Sequence, residues 1–214
     1  IDLGGERMRK RTFIVGAVAL LAVGALFASN MGFKINYQLL AGTNAGSANG
    51  TNSLALPYNA QTGITDAATL FNDIGSAVVN NIQRYVESNN GIEQYPGVNF
   101  SVTPGEGYFV NVGTDTDYIV VGSHDPSLSI SLEPGTDPNS ANGTSFIAYP
   151  YHSTATTASQ LYNEIGSSIV NNVQKYIKSN NGIQQYPGVD FSLAPGEAYF
   201  VNMSAAKAWT PSHY

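Results

Sequence analysis

The chain has 214 residues, of which 43% are hydrophobic and only 11% are charged, and its formal net charge is −6. This length is sufficient for one large domain or two small ones with a packed core. The negative balance argues against nucleic acid as a partner, because phosphate binding requires clustered Lys and Arg. The absence of cysteine excludes disulfides and thiolate metal sites. A surface with so few charges has little repulsion between copies, which favours a protein that packs against itself.

The first thirty residues have the pattern of a secretory signal peptide. Basic residues follow Met8, an uncharged apolar run extends from Phe13 to Ala28, and small residues lie at its end. This run is shorter than the roughly 20 apolar residues that a membrane span requires. We therefore predict a signal peptide over 8–28, no stable membrane span after processing and an extracellular or cell-surface location; a retained anchor helix is the alternative. Residues 1–7 precede Met8 and are predicted to be upstream sequence that the native protein lacks.

The remainder of the chain contains two copies of one unit. Residues 75–85 recur as residues 166–176 with conservative changes, and residues 104–111 recur as residues 195–202. Matches of this length indicate an internal duplication. The predicted organisation is an N-terminal strand and linker (29–52), a first β repeat (53–123), a connecting strand and linker (124–143) and a second β repeat (144–214).

The predicted elements of the first unit, in chain order, begin with a strand over residues 34–40, where apolar and polar residues alternate. A Gly/Asn/Ser linker that is flexible by composition follows, and then a short strand over 53–58. Thr65 and Asp66 are suited to cap a helix over 67–74, which has apolar residues on one face. The rest is predicted as a hairpin of strands 82–87 and 92–95 around Asn89-Asn90-Gly91, a second hairpin of strands 99–102 and 108–112, and a last strand over 118–121.

Many short strands separated by turn signals predict a mainly β fold. We expect two tandem β-sandwich or barrel-like domains, each with one short helix, derived from the duplication. The apolar positions of these elements predict the core. The residues expected to be buried are Leu54, Leu70, Ile74, Phe100, Tyr108 and Val110 in the first unit, and Ile147, Leu161, Ile165, Phe191, Tyr199 and Val201 in the second.

Three motifs carry a resemblance to known proteins. The segments Leu56-Pro-Tyr58, Asp73-Ile-Gly75 and 104–112 (Pro-Gly-Glu-Gly-Tyr-Phe-Val-Asn-Val) resemble repeat units of secreted bacterial surface or extracellular proteins of poorly assigned function. The resemblance covers nearly the whole exported chain. It implies an extracellular location and modular β units, and it carries over no catalytic residues.

Acidic and histidine residues do not form a catalytic set in this sequence. Glu106 and Glu197 hold equivalent places in separate units, so they are interpreted as residues of Pro-Gly turns. Ser123-His124-Asp125 is contiguous, whereas a catalytic triad is assembled in space. Asp115 and Asp117 carry oxygen ligands suited to Ca²⁺, but a solvated turn is the favoured interpretation. We therefore predict no enzymatic activity, no cofactor and no metal site.

Asparagine and tyrosine residues leave glycan-related interpretations open. Asn49-Gly-Thr and Asn142-Gly-Thr are N-glycosylation sequons at equivalent linker positions, and the plain alternative is an Asn-Gly loop. The abundant tyrosines are suited to stack on sugars, although packing across strands is the favoured interpretation. Glycans are therefore candidate partners beside the protein itself.

The favoured function is a structural subunit of an extracellular filament or surface polymer. Only Asp125-Pro126 separates residues 127–133 from the last strand of the first unit, and short connections favour neighbouring strands. If residues 127–133 complete the first core, the second core lacks one strand. The predicted assembly strand is then Lys34, Ile35, Asn36, Tyr37, Gln38, Leu39 and Leu40, which would add head-to-tail to the second core of the next subunit. The alternative is a monomeric cell-surface adhesin or glycan-binding module.

Overall fold

The computed structural model describes residues 32–60, 63–123 and 125–212. The described residues from Phe33 onwards belong to one compact unit. The predicted signal peptide and the first seven residues lie outside the described residues. None of the helices in the described part of the chain is long and apolar enough to cross a membrane.

The described chain is mainly β, and two series of corresponding elements follow one another, with β3 and a 3₁₀ turn present only in the first. This confirms the predicted fold class and the duplication. The first series is β1 (Phe33–Leu39), β2 (Thr51–Ala55), β3 (Asn59–Ala60), α1 (Ala67–Ile74), β4 (Val79–Val86), a 3₁₀ turn (Glu87–Asn89), β5 (Gly91–Tyr95), β6 (Gly107–Val112) and β7 (Thr116–Ser123). The second series is β8 (Ile130–Leu132), β9 (Thr144–Ala148), α2 (Ala158–Ile165), β10 (Val170–Ile177), β11 (Gly182–Tyr186), β12 (Ala198–Met203) and β13 (Lys207–Trp209).

Each repeat is built on a four-stranded antiparallel sheet. The strand orders are β2-β6-β4-β5 and β9-β12-β10-β11, and the registers are repeated, with Leu54 opposite Tyr108 and Ile147 opposite Tyr199. Smaller sheets, β1-β7-β3 and β8-β13, pair the first and last strands of each repeat. The hairpin between β4 and β5 is as predicted, and Asn90 at its tip adopts the left-handed conformation that Asn tolerates.

The helices begin where the sequence predicts. The carboxylate of Asp66 accepts a hydrogen bond of 2.8 Å from the amide of Thr69 and so caps α1, while Thr157 takes the same place before α2. The apolar face of each helix packs into the core of its own repeat. All twelve residues predicted to form the cores are buried, at 8% exposure or less.

The pairing of β1 overturns the predicted strand exchange. β1 is laddered to β7 of its own chain over seven residue pairs, from Phe33–Gly122 to Leu39–Thr116. The side chains of Tyr37 and Leu39 are buried in the first core, and the Tyr37 ring stacks on Tyr118 at 5.8 Å. The predicted assembly strand 34–40 therefore completes its own repeat, because its apolar face covers the side of the core that β7 leaves open.

Residues 127–133 were predicted to complete the first core, and this prediction is also wrong. β8, within that segment, pairs with β13 of the second repeat, and Ile130 lies opposite Trp209. Leu132 is fully buried in the second core. The second core therefore has its leading strand, and no gap remains there for the strand of another subunit.

Two further local predictions differ from the structure. Residues 99–102 do not form a hairpin strand; they contribute only an isolated bridge between Ser101 and Asp66. The linker 41–52 is a series of hydrogen-bonded turns, in which the carboxylate of Asp115 accepts from the amide of Ala41 at 2.8 Å. Composition predicted flexibility there because it does not reveal the contact with Asp115, which lies far away in the sequence.

Candidate functional site

An aromatic cluster joins the two repeats. The ring of Phe146 stacks on Phe109, at 4.6 Å, and on Phe200, at 4.2 Å, and the centroids of Phe109 and Phe200 are 6.0 Å apart. Tyr176 meets Phe109 edge-on at 5.3 Å, and Tyr85 meets Phe200 edge-on at 5.6 Å. Phe109 and Phe146 are buried, so the two repeats share a third hydrophobic core between their sheets and are not independent domains.

The linkers and hairpin tips add hydrogen bonds across the same junction. The side-chain amide of Asn142 donates to Asn90 Oδ1 at 3.0 Å, and its Oδ1 accepts from the hydroxyl of Tyr85 at 3.2 Å. Asn49 makes the equivalent contact with Asn181 at 3.2 Å. Both predicted glycosylation residues therefore hold the repeats together. Their modification stays a prediction, and a glycan on either nitrogen would replace one hydrogen of the donor amide.

Two grooves flank the junction and are related by the duplication. The open groove has a volume of about 630 Å³ and is lined by β1 residues 35–39, Gly46, 52–53, 175–179 and 194–197. The filled groove has a volume of about 230 Å³ and is lined by residues 84–88, 106–107, Asn139 and Phe146. The duplication has thus produced one roomy and one narrow version of the same site.

Equivalent residues of different size explain the contrast between the grooves. Phe146 lies opposite Phe200 on β12, and Ser53 holds the same place opposite Phe109 on β6. The Phe146 ring lies against Gly107, where an added Cβ would be 2.9 Å from a ring carbon; the residue equivalent to Gly107 is Ala198. The ring of Phe146 fills one groove, whereas Ser53 leaves the other open, and Ala198 lies buried at the junction against Gly107.

The open groove exposes the main chain of an edge strand. β1 pairs with β7 on one side, and no strand in the described part of the chain pairs with its other side. The carbonyl of Gln38 accepts from Lys178 Nζ at 3.3 Å, and the amide of Leu40 donates to Asn52 Oδ1 at 2.9 Å. Since alternate residues of an antiparallel strand point the same way, Asn36 also directs its N–H and C=O into the groove.

The two grooves carry opposite charges at one equivalent position. Lys178 lines the open groove, and burial lowers the pKa of its ammonium group, an effect that Glu197 opposes and Lys175 reinforces. Lys175 also pairs with Glu197 at 2.7 Å. Glu87 takes the place of Lys178 in the filled groove, where burial raises the pKa of its carboxyl to about 7.

The outermost strands form a second pair of related surfaces. β5 and β11 are the edge strands of the four-stranded sheets. Ile92 and Ile183 on these strands are 52% and 53% exposed, and Val98 and Val189 in the turns that follow are similarly exposed. β11 has no charged residue, while β5 carries only Glu93, which is held by Arg84 at 2.5 Å. Each repeat therefore presents an apolar, nearly uncharged strand edge.

The acids considered in the sequence lie apart and have structural partners. Glu106 and Glu197 accept hydrogen bonds from the hydroxyls of Tyr108, at 2.9 Å, and Tyr199, at 2.7 Å, in separate repeats. Asp115 binds the linker, and His124 lies outside the described residues. Within 32–60, 63–123 and 125–212, no group of three His, Asp or Glu side chains is placed to hold a metal ion. The arrangement offers hydrogen bonding, stacking and charge for binding.

No protein-family model, curated protein or solved structure matches this chain. The two repeats themselves therefore provide the informative comparison. Aligning residues 47–51 with 140–144 places Ser53 against Phe146. This difference between the repeats is the sequence feature that corresponds to the open groove. It could not be interpreted from the sequence alone, because only the fold places both residues at the junction.

Proposed function

We propose that the protein is a non-enzymatic structural subunit of an extracellular filament or surface polymer, in which copies join through β5 and β11. The observation that carries this proposal is that both sheets end in an edge strand of nearly the same sequence, Gly-Ile-Glu-Gln-Tyr and Gly-Ile-Gln-Gln-Tyr. The low charge of the chain and its predicted export support the same function.

Unprotected edge strands favour association with other strands. A sheet edge presents unpaired N–H and C=O groups, and proteins that remain monomeric usually protect it with Lys, Pro or a bulge. Neither β5 nor β11 contains Lys or Pro. The half-exposed Ile92 and Ile183 add apolar area that pairing would bury.

Charge favours the contact between unlike strands. An antiparallel β5–β5 contact centred on Glu93 brings two carboxylates together, and such pairs are destabilising. A β5–β11 contact centred on the same residue places Glu93 opposite Gln184. Because the two strands belong to different surfaces of one molecule, this contact is head-to-tail and propagates as a filament. It replaces the exchange of β1, because β1 pairs with β7 of its own chain.

Lysine substitutions at the two edges test the proposal. The protein of residues 29–214, which contains the compact unit, is examined by sedimentation velocity and electron microscopy. Ile92→Lys and Ile183→Lys should each abolish filaments, because each blocks one end. A mixture of the two variants should give dimers that grow no further, since one intact β5 meets one intact β11. Val121→Lys, at a similarly exposed apolar residue on β7, is the matched control and should leave filaments intact.

Two outcomes would contradict the proposal. Dimers formed by Ile92→Lys alone would show that β11 pairs with itself and would contradict the head-to-tail contact. Wild-type protein that stays monomeric up to about 100 µM, a concentration at which contacts of micromolar affinity are saturated, would overturn the proposal. That result would favour the monomeric adhesin or glycan-binding module.

A further inference from the structure

The open groove is an incomplete version of the filled one. In the filled groove, the ring of Phe146 occupies the space beside Phe200 and Gly107. In the open groove, Ser53 takes that position, and Tyr176 is among the residues that line the cavity. The equivalent site of the filled groove thus holds an aromatic ring, and the first repeat has Ser53 in place of that ring.

We propose that the open groove binds an extended peptide strand that carries an aromatic side chain flanked by carboxylates. The strand pairs with the free edge of β1, its ring takes the place that Phe146 fills in the other groove, and its carboxylates face Lys175 and Lys178. This site is separate from β5 and β11 and goes beyond the proposed self-association.

The main chain of β1 provides the recognition of a strand. Asn36 and Gln38 direct N–H and C=O groups into the groove, and strand addition supplies partners for such groups. The Gln38 carbonyl is held at present by Lys178 Nζ at 3.3 Å, a contact that a peptide N–H can replace. The lining segment of β1, residues 35–39, matches a peptide of about five residues, because each residue of a strand spans about 3.4 Å.

Charge complementarity selects an acidic peptide. The chain has a net charge of −6, yet Lys175 and Lys178 both line this groove, against the single carboxylate of Glu197. The equivalent position of Lys178 in the filled groove is Glu87. Burial of Lys178 lowers its pKa, so an added carboxylate would stabilise its charged form. An acidic strand is thus attracted to the open groove and repelled by the filled one.

Labelled synthetic peptides test the site. The probe is fluorescein-labelled Glu-Thr-Phe-Thr-Glu amide, in which both carboxylates lie on the same face of the strand as the ring. It is titrated by fluorescence anisotropy with residues 29–214 in the Ile183→Lys background. That background blocks one outer edge, so the result does not depend on self-association. We expect saturable binding, weakened at least about tenfold when Phe is replaced by Ala, when both Glu are replaced by Gln, or when the main chain is N-methylated. Amide resonances of Asn36 and Gln38 should shift on binding.

Two variants copy residues from the other repeat and should therefore fold. Ser53→Phe with Ala198→Gly reproduces the Phe146 and Gly107 pair and should remove peptide binding. Lys178→Glu reproduces Glu87 and should weaken binding of the acidic peptide at least about tenfold while leaving the Gln version unchanged. Urea midpoints within the error of the parent confirm that the fold is retained.

Three results of the peptide titrations would overturn the inference. They are the absence of saturable binding below about 1 mM, a range that covers weak peptide complexes, equal binding by the Ser53→Phe, Ala198→Gly variant, and equal binding of the N-methylated peptide. A shift of amides on β5 and β11 in place of β1 would place the peptide elsewhere and would also contradict it.

Discussion

Glu87 and Lys178 occupy the same position in the two repeats, and the main-chain carbonyl of each accepts a hydrogen bond from the linker of the other repeat. The amide of Ala141 donates to Glu87 at 2.8 Å, and the amide of Ala48 donates to Lys178 at 2.8 Å. The main-chain contact is therefore conserved by the duplication while the side chains have opposite charges. The two repeats have therefore kept the same main-chain hydrogen bonds at the junction, while the charge of the grooves beside it differs.

Glu87→Gln should make the folded protein more stable at neutral pH. Burial, reinforced by the charges of Glu106 and Glu133, raises the pKa of Glu87 from 4.5 to about 7, while the nearby hydroxyl of Ser145 opposes the shift. Because the folded pKa lies above the unfolded value, the folded state binds more protons between these values. Stability then falls as pH rises from about 4.5 to 7 and stays low above that.

Urea denaturation at pH 5 and pH 8 measures this effect. The carboxyl is partly exposed, so solvent screening limits the expected gain of the Gln variant at pH 8, relative to pH 5, to about 1–2 kcal/mol. Asp117→Asn removes an exposed charge and controls for the change in net charge. Parallel pH profiles for wild type and Glu87→Gln would contradict the prediction.

Leu39→Ala should destabilise the isolated subunit. Leu39 and its counterpart Leu132 are 2% and 0% exposed, so truncation of either should cost about 2–5 kcal/mol. Gln38→Ala, at the exposed neighbour, should cost little. Since β1 pairs within its own chain, the urea midpoint in the Ile183→Lys background, which does not form filaments, should not change over a hundredfold range of protein concentration. A midpoint that rises with concentration would indicate that β1 is exchanged between subunits.

Phe100→Ala and Phe191→Ala should have similar effects in the two cores. Phe100 and Phe191 stack on Tyr108 and Tyr199 with ring centroids 6.2 and 6.1 Å apart. Both rings are buried, so each truncation should lower the free energy of unfolding by about 3–5 kcal/mol. Val98→Ala, in an exposed turn, is the control in the same denaturation experiment. A cost below about 1 kcal/mol at either ring would contradict the packing of that core.

Asn142→Ala should weaken the junction between the repeats. The side chain bonds Asn90 and Tyr85 of the other repeat, and each net hydrogen bond contributes about 0.5–1.5 kcal/mol. Asn49→Ala should have a similar effect. Asn139→Ala, at an exposed residue of the same linker, should leave the urea midpoint unchanged. Equal midpoints for Asn142→Ala and Asn139→Ala would show that these contacts do not stabilise the fold.

Local patterns were sufficient to predict much of the fold. The duplication, the capped helix over 67–74, the hairpin at Asn90 and the twelve core residues depend on neighbouring residues or on periodicity, and all agree with the structure. The hairpin assigned to 99–102 was wrong, since the Pro-Gly turn that follows this segment does not specify which strands it joins. β6 pairs instead with β2 and β4.

The sequence by itself determined that this chain is a duplicated, mainly β protein with a low charge and two equivalent hydrophobic cores. Only the tertiary structure decided that β1 and β8 each close their own repeat, because that choice depends on how Tyr37 and Leu132 fit cores formed by residues far along the chain. It also decided that Ser53 lines an open groove. A serine and a phenylalanine at equivalent positions acquire different roles only when packing places them beside the same aromatic cluster.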